Sequence, residues 1–306
     1  MSSQLRTAAR ACPCCCGSAS DATRFRSDPP AEFQIGDLTE AAWAGFFKSK
    51  VFFSYRRCRG CGLLYCPVYF DEASLAKLYG WMSDNTAGVP LQAAQRTQAS
   101  YFEMVRGRSI SGDYLEVGPD IGLFAGLVAR ERLASRFFLF EPNKAVWPAL
   151  RSLCEGQGEV VLRDSMWGLD TVPDESIGLA VMIHVLDHLL APKDYLAMLG
   201  RKLKPDGLLL MVTHNEASLL ARLFGARYPI FCLQHPQLFS PATMARTVAA
   251  AGLKTRQILR TRNYFPAGYL VKHFLYQLGV DTNMPHLPPV LGLPLGNMAT
   301  LAVQPS

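Results

Sequence analysis

Residues 113–141 read DYLEVGPDIGLFAGLVARERLASRFFLFE, and the reading of this stretch decides the fold. Asp113 to Val117 has the composition of a short buried strand and carries an acid, Glu116, just before a turn. Gly118, Pro119 and Asp120 make the turn, and Gly122 lets a helix begin close beside the strand. Leu123, Leu127 and Val128 follow at helical spacing, and Phe137 to Phe140 form a second strand ending on Glu141. Strand, glycine turn, helix, strand and terminal acid together make half of a nucleotide-binding α/β unit.

The acids refine this reading. Glu116 and Asp120 would repel a pyrophosphate at the first turn, whereas they suit the ammonium of an aminoacyl sulfonium. Glu141 can accept both hydroxyls of a ribose. This stretch resembles the first motif of class I S-adenosylmethionine-dependent methyltransferases, acid-x-Gly-x-Gly-x-Gly, with Glu116, Gly118 and Gly122 in place and Asp120 where the middle glycine usually stands. The resemblance implies a Rossmann-like, seven-stranded α/β sheet and S-adenosyl-L-methionine as cofactor.

Downstream residues continue the alternation. Val146–Leu153 is expected as a helix, and Val160–Arg163 as a third strand ending at Asp164. By the same resemblance Asp164 meets the adenine amino group, flanked by Ser165 and Met166; a surface or capping role is the alternative. Ile177–Ile183 is an apolar fourth strand that runs into HVLDHL, residues 184–189. As His-x-x-Asp-His these residues mimic a metallopeptidase helix, but they follow a buried strand in an α/β series. They resemble instead the loop after the fourth strand of small-molecule methyltransferases, which places His184 at the sulfonium end of the cofactor and His188 near the substrate. Tyr195–Leu203 reads as a helix stopped by Lys204-Pro205-Asp206-Gly207, and Leu208–Thr213 as a fifth strand. Helix Ala242–Ala251, strand Lys254–Leu259, helix Tyr264–Leu278 and strand Met298–Val303 are expected to complete the chain, the last strand antiparallel beside the fifth.

Seven of the nine cysteines fall between Cys12 and Cys66. CPCCCGS and CRGCGLLYC supply two thiol pairs, Cys12 with Cys15 and Cys58 with Cys61, for one tetrahedral structural zinc; Cys14 or Cys16 could replace Cys15. Spare thiols without a metal are the alternative. The aromatic segment Phe33–Phe53, with Trp43, Phe46, Phe47, Phe52 and Phe53, is expected to give this small ribbon a core. Asp71–Tyr79 reads as a short helix, Ser83–Pro90 as a linker and Leu91–Arg106 as an amphipathic helix. A ribbon domain over 1–85 and a methyltransferase domain over 86–306 are therefore expected, with a lid-like insertion at about 214–240.

In that insertion, residues 234–240 (QHPQLFS) resemble the Glu-His-x-x-Tyr-Phe-(Ser/Thr) segment of methyltransferases with an N-terminal zinc-binding region, among them sugar C-methyltransferases and related tailoring enzymes. His235, Phe239 and Ser240 match, while Gln234 and Leu238 depart. The resemblance makes His235 the first candidate for a general base and His188 the second; a loop-end role for His235, with Ser240-Pro241 capping the next helix, is the plainer reading.

Composition sets the bounds. The 306 residues are 49% hydrophobic, enough for a sizeable core, and the formal charge of +6 is modest and unclustered. This argues against a nucleic-acid partner. The first residues show no apolar leader core and the longest uncharged tract, 287–306, is broken by prolines, so a cytoplasmic protein without a membrane span is expected. The expected partner is a small-molecule acceptor, a sugar, nucleotide-sugar or natural-product-type hydroxyl or carbon acid; monomer and homodimer both stay open. The rival reading is a non-catalytic zinc-ribbon adaptor whose α/β domain binds the cofactor, a nucleic acid or another partner.

Overall fold

The computed structural model describes residues 4–26, 33–34, 43, 51–81, 89–280, 282 and 288–305. The N-terminal part contributes strands β1 (Ala19–Phe25), β2 (Tyr55–Cys58) and β3 (Leu64–Tyr65), then helix α1 (Glu72–Trp81). Helix α2 (Leu91–Phe102) leads into the α/β series: β4 (Asp113–Val117), α3 (Leu123–Arg130), β5 (Arg136–Phe140), α4 (Trp147–Cys154), β6 (Glu159–Arg163), β7 (Ile177–Ile183), α5 (Pro192–Lys202) and β8 (Leu203–His214). The chain closes with α6 (Leu219–Phe224), β9 (Gln237–Leu238), α7 (Pro241–Ala250), β10 (Lys254–Arg260), β11 (Asn263–Pro266), α8 (Ala267–Gln277), β12 (Val290–Leu293) and β13 (Asn297–Val303).

Seven strands form one sheet in the order β6-β5-β4-β7-β8-β13-β10. The first five are mutually parallel and β13 runs antiparallel between β8 and β10. This is the Rossmann-like α/β arrangement expected from residues 113–141. Because both faces are covered, inward residues alternate between two cores. Leu115, Val117, Ala180 and Met182 pack toward α5 and α7; Tyr114, Phe137, Leu139 and Val181 pack toward α3 and α4.

Two expected elements differ. The helix placed over Tyr264–Leu278 begins only at Ala267, because the residue before Pro266 is kept out of the helical region and Asn263–Pro266 pairs with Val290–Leu293 instead. The Tyr264 amide donates to Thr97 Oγ1 at 2.8 Å, tying that strand to α2. The Lys204–Gly207 turn is a bulge inside β8: Leu203 pairs with Ile177 and the next partners are Leu208 and Leu179.

The ribbon is not separate from the insertion. A four-stranded antiparallel sheet runs β9-β3-β2-β1, so two residues from beyond the fifth sheet strand complete the N-terminal sheet. Their common core holds Trp43, Phe52, Phe53, Tyr55, Leu64, Tyr69 and Phe70 from one side and Ile230, Phe231, Leu233 and Leu238 from the other. Phe46 and Phe47 lie outside the described residues, as do most of the linker over 83–90 and the boundary near 85. Residues 230–238 of the expected lid-like insertion therefore pack against the ribbon. No described helix is long and apolar enough to cross a membrane.

Phe231 is fully buried, with ring centroids 4.2 Å from Phe25 and 5.6 Å from Tyr55. Phe231→Ala should therefore lower the unfolding free energy by about 3–5 kcal/mol in denaturant titration, and a change near zero would show that this shared core does not hold the two parts together.

Candidate functional site

The glycine turn after β4 is built as its composition requires. Gly118 and Gly122 have φ of 68° and 76°, and a Cβ at Gly118 would come within 2.9 Å of Val185 Cγ2. Asp120 has φ 52°, the left-handed conformation that Asp tolerates better than most side chains, which explains how it replaces a glycine. Its amide donates to Glu141 Oε2 at 2.9 Å, while the Asn143 amide donates to Glu141 Oε1 at 2.8 Å. Glu141, 7% exposed, thus braces the turn from the end of β5.

Glu116 turns inward. It is 2% exposed and its Oε2 accepts from the Tyr114 hydroxyl at 2.7 Å. Burial pushes its carboxyl up to about 8, a rise the Tyr114 hydroxyl opposes and the Glu141 charge reinforces. At the end of β6, Asp164 is half-exposed and ion-paired with Lys144 Nζ at 2.7 Å. Ser165 Oγ accepts from the Trp167 amide at 3.3 Å, and the Met166 carbonyl accepts from the Tyr195 hydroxyl at 2.8 Å. The exposed Trp167, edge-on to Tyr195 at 5.4 Å, adds an aromatic surface there that was not singled out in the sequence.

Four of the six histidines meet at the carboxyl ends of β7 and β8. Ring centroids are 4.7 Å apart for His184 and His214, 4.7 Å for His188 and His235, and 4.8 Å for His214 and His235. Asp187, wholly buried, lies among them; its Oδ2 accepts from the His214 amide at 3.2 Å. The close approach of Val185 to Gly118 sets the loop bearing these residues beside the glycine turn. Burial lowers His184 to about 3 and lowers His188 and His235 as well, so these three imidazoles are neutral at pH 7. Burial raises Asp187 while the imidazoles, His214 first, pull it down, and the second effect prevails.

His235 is 4% exposed. Its Nδ1 lies 2.7 Å from the Ile230 carbonyl and 3.2 Å from Cys232 Sγ. A carbonyl only accepts, so Nδ1 carries the proton and Nε2 keeps the lone pair. The ribbon holds the backbone around it: the Tyr55 hydroxyl donates to the His235 carbonyl at 2.6 Å, and the Cys66 amide to the Pro236 carbonyl at 2.9 Å. Gln237 ties in the histidine loop, its Nε2 donating to the Leu189 carbonyl at 2.8 Å and its Oε1 accepting from Arg10 at 3.1 Å. Ser240 is engaged in a reciprocal capping box with Thr243 at the start of α7.

The two cysteine knuckles converge. Cys12, Cys15, Cys58 and Cys61 bring their Sγ atoms within 4.8 Å of one another, with Cys12–Cys61 at 3.5 Å and Cys15–Cys58 at 3.3 Å. Four thiolates around one tetrahedral ion stand about 3.8 Å apart, so this donor set fits a metal without rearrangement. Cys14 and Cys16 stay out of the group. Gly17 and Gly60 leave the room: a Cβ there would sit 3.2 Å and 3.3 Å from the thiol sulfurs.

Residues 94–258, more than half of the chain, match the family model described as a methyltransferase domain. The chain belongs to this methyltransferase family. Solved structures are similar to this chain. A chain of the Haloferax volcanii complex containing the Trm112 methyltransferase activator superposes with a TM-score of 0.52 at 13% identity, over 74% of this chain and 100% of that one. A SAM-dependent methyltransferase from Archaeoglobus fulgidus gives 0.45 at 18% identity, over 76% and 99%. The YcgJ protein of Bacillus subtilis gives 0.49 at 12% identity, over 69% and 99%. No curated protein matches the sequence. The protein is a SAM-dependent methyltransferase, and its zinc-ribbon-like cysteine cluster is packed onto that domain.

In the methyltransferase, Glu116 is an acid kept in a site that disfavours its charge. Its folded pKa, about 8, lies above its ordinary value of 4.5, so stability falls as pH rises between these values and levels beyond them. Glu116→Gln should abolish that slope, roughly 1.4 kcal/mol per pH unit at most, and raise the melting temperature at pH 7 relative to wild type. Equal melting temperatures across pH 5–8 would contradict it.

Proposed function

We propose that this methyltransferase acts on a small-molecule hydroxyl or carbon acid, with His235 as general base. The observation that supports this reading best is the cluster of four histidines at the rim beside the glycine turn, which a non-catalytic adaptor would have no use for. S-adenosylmethionine, when bound, supplies an electrophilic methyl group. Glu141, at the end of β5, accepts hydrogen bonds from the ribose hydroxyls. Gly118 and Gly122 let the backbone come close to the aminoacyl end, Glu116 and Asp120 favour its ammonium, and His184 covers it. Asp164, Ser165 and Met166 flank the adenine. His235 Nε2 takes the acceptor's proton, and His188, whose Nδ1 is 3.0 Å from the Tyr79 hydroxyl, shapes the opposite wall. Holding the acceptor atom about 3 Å from the methyl carbon, in line with sulfur, is the scaffold's main contribution.

His235→Ala should cut turnover by about 10²-fold or more while leaving cofactor affinity nearly unchanged, and His188→Ala should cost less. Glu141→Ala should do the reverse, weakening cofactor binding by roughly 1.5–3 kcal/mol in calorimetry. Near-normal turnover in His235→Ala would remove it as the base.

The ion that suits four converging cysteines is zinc, held structurally because no coordination position is left for substrate. Elemental analysis should find one cysteine-held zinc per chain. Cys58→Ser with Cys61→Ser should lose it and, through β3 and β9, lower turnover together with stability. A metal-free wild type of equal stability would refute this site.

A further inference from the structure

A second group of ligand-type side chains lies apart from the cysteines, at the rim. One donor atom each from His184, Asp187 and His214 falls within 4.8 Å of the other two. Asp187 is 0% exposed, yet its Oδ1 has no hydrogen-bond partner. A buried carboxylate left half-satisfied is costly unless a cation or donor completes it. Its nearest charged-type neighbour is His214 Nε2, 3.9 Å from Oδ2.

The tautomers favour ligation. His214 Nδ1 is 2.9 Å from Asn297 Oδ1, an acceptor, so Nδ1 carries the hydrogen and Nε2 the lone pair. The same amide donates from its Nδ2 toward His184 Nε2 at 3.3 Å, so that ring carries its hydrogen on Nδ1, and an ion at Nε2 would take over the lone pair this long contact now holds. Asn297 from β13 thus holds the His214 ring in the state a metal needs, as residues behind metal-ligating histidines do. His184 is also held at φ 54°, a conformation uncommon for its side chain, which turns the end of β7 into the rim.

We propose that His184, Asp187 and His214 bind a divalent first-row transition ion through two imidazole nitrogens and one carboxylate oxygen, with further coordination positions left for water or an oxygen of the acceptor. Two imidazoles and a carboxylate suit zinc, manganese or iron(II) better than magnesium or calcium, which prefer all-oxygen sets. The ion's role rests on the proposed function: it holds and acidifies an acceptor hydroxyl whose proton passes to His235 Nε2. Binding of the ion does not depend on that reading.

Titration of the full-length, zinc-loaded protein with cobalt(II) tests the site. Wild type should take up one further equivalent, with the weak visible bands of a nitrogen–oxygen site rather than the intense thiolate charge transfer of the cysteines. Asp187→Asn and His214→Gln should each lose this equivalent while keeping the cysteine-held zinc, which reports that the chain is folded. Asn297→Ala should bind cobalt about 10–100-fold more weakly. A wild type that takes up no further ion overturns the proposal whatever the variants do. So do Asp187→Asn and His214→Gln proteins that bind cobalt as tightly as wild type. S-adenosylmethionine binding, measured on the same samples, separates the two readings: cofactor bound without a second ion refutes only the metal site.

Discussion

Two residues of main chain, Gln237 and Leu238, pair with Tyr65 and Leu64 and so join the cysteine-bearing sheet to the segment that follows the fifth strand of the large sheet. Much of the rim depends on this short ladder. His235 precedes it by two residues, and its carbonyl is held by Tyr55 from the ribbon. The Leu233 carbonyl accepts from Tyr69 at 2.5 Å, so three successive carbonyl anchors fix the backbone on either side of the imidazole. Gln237 then extends the same support sideways: its amide reaches the carbonyls of Leu186, Asp187 and Leu189, and Arg10 of the ribbon reaches its Oε1. A buried backbone carbonyl must find a donor, and here the donors come almost entirely from the ribbon. The ribbon's contribution is thus positional: it fixes His235, the proposed base, on a segment that is otherwise irregular.

The rim balances opposing costs. Burying four imidazoles and a carboxylate in contact would be unfavourable if all were charged, and burial drives His184, His188 and His235 toward neutrality. Neutral imidazoles serve well as proton acceptors and as metal ligands, but they supply less compensation to Asp187 than imidazolium would. Glu116 shows the same logic at the other end of the cofactor region, an acid kept where the empty fold disfavours its charge. Glu116 raises the cost of the fold as a charged group, and a cationic group beside it would make that charge favourable. Perturbed groups concentrated around one rim are what a functional site produces.

Much of this was legible in the sequence. Strands ending in Glu116, Glu141 and Asp164 fell where apolar runs meet turn residues, because a parallel sheet covered on both faces writes itself as uninterrupted hydrophobic segments. The cysteine register was open among Cys14, Cys15 and Cys16; the structure brings Cys15 to the cluster, where Gly17 and Gly60 leave room beside its sulfur. What the sequence could not carry were contacts between distant segments. Nothing in QHPQLFS announces that Gln237 pairs with Tyr65, since a two-residue strand has no periodicity to read. Asp187 was visible only as the middle of His-x-x-Asp-His; its partner His214 lies on another strand, and Asn297 on a third. The helix expected from Tyr264 failed for a local reason, Pro266, outweighed in the reading by the aromatic composition around it.

The departure at Asp120 illustrates how a motif can lose a letter and keep its geometry. A middle glycine is used for its freedom to adopt positive φ, and aspartate reaches the same region at 52° with little strain. Its amide braces the turn by donating to Glu141 Oε2. Its carboxyl adds an acidic group to the turn, where Glu116 feels the charges of both Glu141 and Asp120. Acids around one glycine turn disfavour a pyrophosphate, and they favour a ligand that brings an ammonium and a ribose without phosphate. The substitution that weakens the match to the motif strengthens the chemical case for a sulfonium cofactor.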